Sequence, residues 1–190
     1  MLSVIGEAPV TTTSPAPTQD VTIALNTLEE VQREVQNRGW SWNTAYDVEL
    51  TPDGVTNKIT PPAGAVRFDH NYRTQVKTAK YSIRGGYLYD LTNKTDEFTN
   101  PVTLTIVTML DWDDMTEAAR RYIMIRAARI FQDRTSGSPN HHSFNLRDEQ
   151  MAYASLMEVE LEDCDYGIYD HPDTYSAINR SRPANDIPGY

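Results

Sequence analysis

The chain has 190 residues, 39% of them apolar, with 27 acidic and 17 basic side chains and a net charge of -10. That length holds one domain or two small lobes sharing a core, and the charge disfavours general affinity for phosphate backbones and anionic lipid. One cysteine, Cys164, excludes an internal disulfide framework and a Cys-based zinc site, and fits a reducing compartment.

The apolar share is below that of a self-sufficient globule, which points to stability drawn from neighbouring subunits. The N-terminus MLSVIGEAPV lacks the basic start and long apolar stretch of a signal peptide, and no apolar run approaches a membrane span. The expectation is a chain made soluble in the cytosol, with no membrane partner.

In chain order, TTTSPAPTQD (residues 11–20) is a connector, because Pro9, Pro15 and Pro17 deny a helix its amide donors. Thr18 then serves as N-cap of a helix whose Val21, Ala24, Leu28, Val31 and Val35 share one seam. Gly39 is read as a left-handed cap, with Trp40 folding back onto the last turn. Residues 40–111 gain Tyr, Val, Ile and Thr and lose the helical period, so they read as a β lobe. Trp40 and Trp42 are expected on the same side of an extended segment, holding the two lobes at a fixed angle. In KYSIRGGYLYD the Gly85-Gly86 pair suits a tight hairpin turn that sets Ile83 opposite Leu88, Ser82 opposite Tyr89 and Arg84 beside Tyr87. Val102, Leu104 and Ile106 alternate inward on a further strand, after a loop over TNKTDEFTNP.

A second helix is predicted to about Arg134, with Asp114 as N-cap and Glu117 closing a capping box. Ala119, Ile123, Met124, Ala127, Ala128, Ile130 and Phe131 form its buried half. The remaining arc carries Arg121, Arg126 and Arg129 around Tyr122 and Ile125, which is too apolar for a solvated face; these five are the candidate subunit-interface residues. TSGSPNHHS is read as a break, and Asn145 as the cap of a third helix buried through Ala152, Tyr153, Leu156 and Val159. The third helix is acidic, a natural partner for the Arg-rich second, within a subunit or across a boundary. Residues 166–190 lack a period but keep Tyr169, Tyr175, Ile178 and Tyr190, so they read as an arm ordered against a partner. The predicted fold is α+β: an antiparallel helical bundle (1–39 and 112–165) with an inserted small antiparallel β lobe (40–111) and an extended C-terminal arm (166–190).

Three constellations raise the question of chemistry. Asp111, Asp113 and Asp114 could ligate a divalent ion through oxygen, but acids also belong at a helix start. His141 and His142, with Cys164 and His171, have neither zinc-site spacing nor a nucleophile elbow. A carboxylate pair for glycan hydrolysis can be drawn among 27 acids, but sequence does not give its separation. In RFDHNYRTQVKTAKYSIRGGY, Arg67, Arg73, Lys77, Lys80 and Arg84 alternate with Phe68, Tyr72, Tyr81 and Tyr87, a composition that stacks bases or keeps an outer sheet face soluble. No catalytic residue, metal site or cofactor is assigned.

IGEAPV at 5–10, LNTLEEVQREVQNRGW running into SWNTAYDVELTPD, the hairpin RGGYLYD and the Arg-rich helix, in that order, resemble the tail tubular protein A family of short-tailed bacteriophages. The resemblance runs from about Ile5 to Gly167. It implies a head-to-tail adaptor, or gatekeeper: a ring of about twelve copies between portal protein and tail nozzle protein, near the tail fibre, with duplex DNA passing through unbound. It implies a virion protein, not an enzyme. Members usually carry helical residues ahead of the IGEAPV-like motif, so the expectation is that the first helix is missing here or the start codon was assigned late.

Overall fold

A computed structural model describes residues 1–8, 10–11, 18–70, 80–135 and 137–163. The arm residues Tyr169, Tyr175, Ile178 and Tyr190 lie outside these, as do Cys164, His171, Tyr72, Arg73 and Lys77. The fold is mixed α+β, with helices α1 (Gln19–Gln36), α2 (Glu117–Thr135) and α3 (Pro139–Asp163) and strands β1 (Thr44–Leu50), β2 (Ala65–His70), β3 (Tyr81–Arg84), β4 (Tyr87–Asp90) and β5 (Val102–Thr108).

The seam of α1 forms as its spacing requires, with Val21, Ala24, Val31 and Val35 buried and the Thr18 hydroxyl accepting from the Val21 amide at 3.4 Å. Gly39 takes φ 78°, and the Trp40 indole turns back to donate to the Val35 carbonyl at 2.8 Å. β1 and β2 flank β5 in one antiparallel sheet, while β3 and β4 pair separately in the Ile83–Leu88 register. Leu104 and Ile106 of β5 join Phe68, Leu50, Ile59 and Leu88 in one apolar cluster. A second cluster unites Val31, Val35 and Trp40 with Ala119, Ile123, Ala127, Ala152 and Leu156 of the helices.

The pairs Glu34–Arg126 and Glu30–Arg134 make α1 and α2 antiparallel, and Asp133–His142, Arg126–Glu149 and Tyr122–Tyr153 do the same for α2 and α3. α2 is therefore the middle helix.

Several local expectations are corrected. Asp114 does not cap α2: residues 112–114 form a short 3-10 turn, and the Thr116 hydroxyl accepts from the Ala119 amide at 3.4 Å, so the nearer hydroxyl takes the cap. Asn145 lies inside α3, which starts ahead of the cap read there, at Pro139, where proline's missing N–H costs nothing. The His142 amide already donates to the Ser138 carbonyl at 3.0 Å. Tyr122 is buried at 3% exposure and Met124 is 46% exposed, the reverse of the predicted halves, because α3 packs on the arc that carries Tyr122. The segment after Gly39 is not extended, since Ser41–Asn43 make a 3-10 turn, yet Trp40 and Trp42 both pack against the helical cluster.

Candidate assembly interface

The helices and the sheet are joined where α1 ends. Gln36, fully buried, exchanges two hydrogen bonds with the backbone of Leu110: its amide donates to the carbonyl at 3.0 Å and its carbonyl accepts from the N–H at 2.7 Å. Gln32 donates to the same Leu110 carbonyl at 3.2 Å. Asn43, also buried, accepts from the Trp40 amide at 2.7 Å and donates to the carbonyls of Gln36 at 2.9 Å and Thr108 at 3.2 Å. The Ser41 amide and hydroxyl both donate to the Glu160 carboxylate, at 2.7 and 2.8 Å, which ties in the far end of α3. Arg67 of β2 donates to the carbonyls of Asn37 and Arg38 at 3.2 and 2.9 Å, capping the C-terminal end of α1. Buried amide side chains pairing with backbone at both ends fix relative position as apolar contact alone does not, because a shift leaves desolvated groups unpaired.

The helices are keyed to one another by charge. Glu149 of α3, only 6% exposed, accepts from Arg126 at 2.6 Å and from Arg129. Arg126 also reaches Glu34 of α1 at 2.7 Å, so one guanidinium links all three helices. Burial pushes the Glu149 carboxyl upward, but the hydrogen bonds from Arg129 and Arg126 outweigh it and hold the pKa below its ordinary value. Arg134 adds a two-pronged pair with Glu30 at 2.7 and 3.0 Å.

The five candidate interface residues of α2 are thus placed differently. Tyr122 lies in the chain's own core against Tyr153, with ring centroids 5.3 Å apart. Arg126 and Arg129 join the helices. Arg121, exposed, and Ile125, half-buried, instead line a groove of about 640 Å³ between α2 and α3. Met151, Asp148, Glu158 and Glu162 of α3 line its other side. Trp40 and Trp42 both pack in the helical cluster, but their bonding differs: among the described residues the buried Trp42 indole N–H has no hydrogen-bond partner.

Among the described residues the other constellations do not converge on a reaction centre. Among the described residues no group of three or more His, Cys, Asp or Glu side chains could hold a metal ion. Asp113 points to solvent, 96% exposed, at 3.9 Å from Arg120. His142 is on the first turns of α3, within 2.8 Å of Asp133. A cleft of about 940 Å³ runs between α1 and strand β2, but its Glu30 and Glu34 are engaged by Arg134 and Arg126. Within the basic segment, Arg67 is bound to the end of α1 and to Asp69 at 2.9 Å, and Arg84 lies 4.1 Å from the Tyr89 ring centroid. No described helix is long and apolar enough to cross a membrane.

Gln36 and Asn43 were missed by sequence reasoning, while Glu149 and Glu160 were read only as members of the acidic third helix expected to partner the Arg-rich second, a pairing that Glu149 makes with Arg126 and Arg129. Glu149 had a signal: it precedes Ala152, Tyr153 and Leu156 by three, four and seven residues, so it shares their buried stripe. Gln36 adjoins the seam residue Val35, but nothing local distinguishes it from the exposed polar residues of α1.

The family described as Tube, tail tubular protein, matches residues 1–166. The chain is 30% identical over 108 residues to "Tail tubular protein A" of Klebsiella phage KP34. That match covers 54% of this chain and 57% of the relative, so the chain spans little more than half of the curated relative it matches.

Proposed function

Because the chain belongs to the tail tubular protein family, structural components of the phage tail, we propose that it is the head-to-tail adaptor subunit of a short-tailed virion. About twelve copies form a ring that joins the portal protein to the tail nozzle protein, with the tail fibre attached close by. The observation that carries this reading is the junction of Gln36, Asn43 and Arg67 with the backbone of residues 37–38 and 108–110. It supports a rigid body that holds a helical surface and a sheet surface at one angle, which a docking ring between two unlike partners requires. The net charge of -10 supports a lumen that repels phosphates, so that duplex DNA slides through without binding. Arg121 and Ile125 serve at the subunit boundary, and residues 166–190 serve as the arm that meets a partner.

The reading assigns no reaction, cofactor or membrane role to the chain. Glycan hydrolysis needs two carboxylates facing each other across open space, and of the three glutamates lining the cleft, Glu30 and Glu34 are paired with arginines, which leaves Glu29. The test is the mass of the purified protein with and without its portal protein: a ring of about twelve copies is expected with it. A monomer under both conditions would contradict the reading.

A further inference from the structure

Two exposed surfaces of this chain match each other in both polarity and charge. The first is the groove between α2 and α3. Of its lining, Ile125 of α2 is half-buried and Met151 of α3 is 54% exposed, and beyond it Met124 of α2 and Phe144 of α3 are 46% and 71% exposed. Exposed apolar side chains grouped in this way and rimmed by charge mark an interaction surface. The rim of the groove is acidic, with Asp148, Glu158 and Glu162 exposed against Arg121 alone, while Glu117 is taken up by Arg120 at 2.8 Å.

The second surface is the β3–β4 hairpin with its flanks. In a chain of net charge -10, it exposes Lys80, Arg84 and Lys94. Its one acid, Asp90, is 5% exposed and turned inward to accept from the amides of Thr92 and Asn93 at 2.7 and 3.0 Å. Beside the cations, Ile83 is 41%, Tyr87 37% and Leu91 38% exposed, so this surface too is apolar at its centre. Leu88 is fully buried in the sheet cluster and anchors the hairpin from behind.

We propose that the β3–β4 hairpin of one copy docks in the α2–α3 groove of the next, with Lys80, Arg84 and Lys94 against Asp148, Glu158 and Glu162. The two patches are different surfaces, so the contact is head-to-tail and each copy offers one of each. Repeated with a closing rotation, such a contact generates a ring instead of a two-fold dimer. The inference rests on the ring reading above and names the surfaces that make it. It also gives the basic residues of the hairpin a role other than nucleic-acid binding.

Charge exchange tests it. One variant carries Lys80→Glu, Arg84→Glu and Lys94→Glu; the other carries Asp148→Lys, Glu158→Lys and Glu162→Lys. All six side chains are exposed, and unchanged melting of each variant checks that both fold. Each variant alone faces like charge with like charge and, in the presence of portal protein, is expected to assemble at least about tenfold more weakly than the parent chain by analytical ultracentrifugation. Mixed in equal amounts, they present opposite charges at every contact, and assembly is expected to return to the parent level. Assembly of each variant alone at the parent level, or failure of the mixture to recover, overturns the pairing while leaving the ring intact. A parent chain that stays monomeric with and without portal protein overturns the ring reading and the pairing together.

Discussion

Gln36 and Leu110 are 74 residues apart in sequence and exchange a reciprocal pair of hydrogen bonds, 2.7 and 3.0 Å, between a buried side-chain amide and a backbone peptide. The pair joins the last turn of the first helix to the chain leaving the sheet, beside the bonds that Asn43 and Arg67 make at the same junction. Gln36→Leu fills the same space but leaves the Leu110 N–H without its partner and removes one of two donors to its carbonyl. Unfolding in urea should show a loss of about 2–4 kcal/mol. A loss under about 0.5 kcal/mol would mean that the junction does not depend on this exchange.

The two junction tryptophans should respond unequally to the same change. Trp40→Phe deletes the bond to the Val35 carbonyl and should cost about 1–2 kcal/mol beyond the lost ring area. Trp42→Phe removes a buried N–H that has no partner among the described residues, so part of the packing loss is offset and the variant should be the more stable of the two. Equal destabilisation in thermal melts would contradict the assigned bonding.

Glu149 gives the protein an acid-sensitive lock. Its folded pKa is depressed, so its contribution is fully present above the ordinary glutamate value, about 4.3, and is lost as pH falls through the lower folded value. Stability should be level near neutral pH and fall below about pH 4. Glu149→Gln should cost on the order of 2–3 kcal/mol at neutral pH, because two partly buried guanidinium groups lose their shared charge. The variant should also lose part of the acid slope; an unchanged slope would place the acid sensitivity elsewhere.

What the sequence made legible was whatever depends on near neighbours. The α1 seam, the Thr18 cap, the turn at Gly39 and the Ile83–Leu88 register all follow from period and turn chemistry, and all are present. The helix starts misled where two residue types compete for one role: Thr116 caps in place of Asp114, and Pro139 opens a helix where Gly, Ser and Pro read as a loop. The outward and inward arcs of α2 were exchanged in part because apolar residues and arginines are mixed around this helix and mark no single buried stripe, so only the position of α3 selects one. Gln36, Asn43 and Arg67 were not legible as junction residues because their partners are backbone groups distant in sequence, which periodicity does not register.

The arm reading predicts that a chain without residues 168–190 still folds and melts within about 0.5 kcal/mol of the parent. Virion assembly should be impaired nonetheless. Normal particle yield and infectivity from the truncation would show that these residues do not serve docking.

The central claim is that this chain is a ring subunit docking portal to nozzle, and mass photometry of the purified protein titrated with portal protein tests it most directly. The expected result is one complex whose added mass corresponds to about twelve copies, formed without intermediate plateaus. An added mass of zero, or of one or two copies at saturation, would contradict the account.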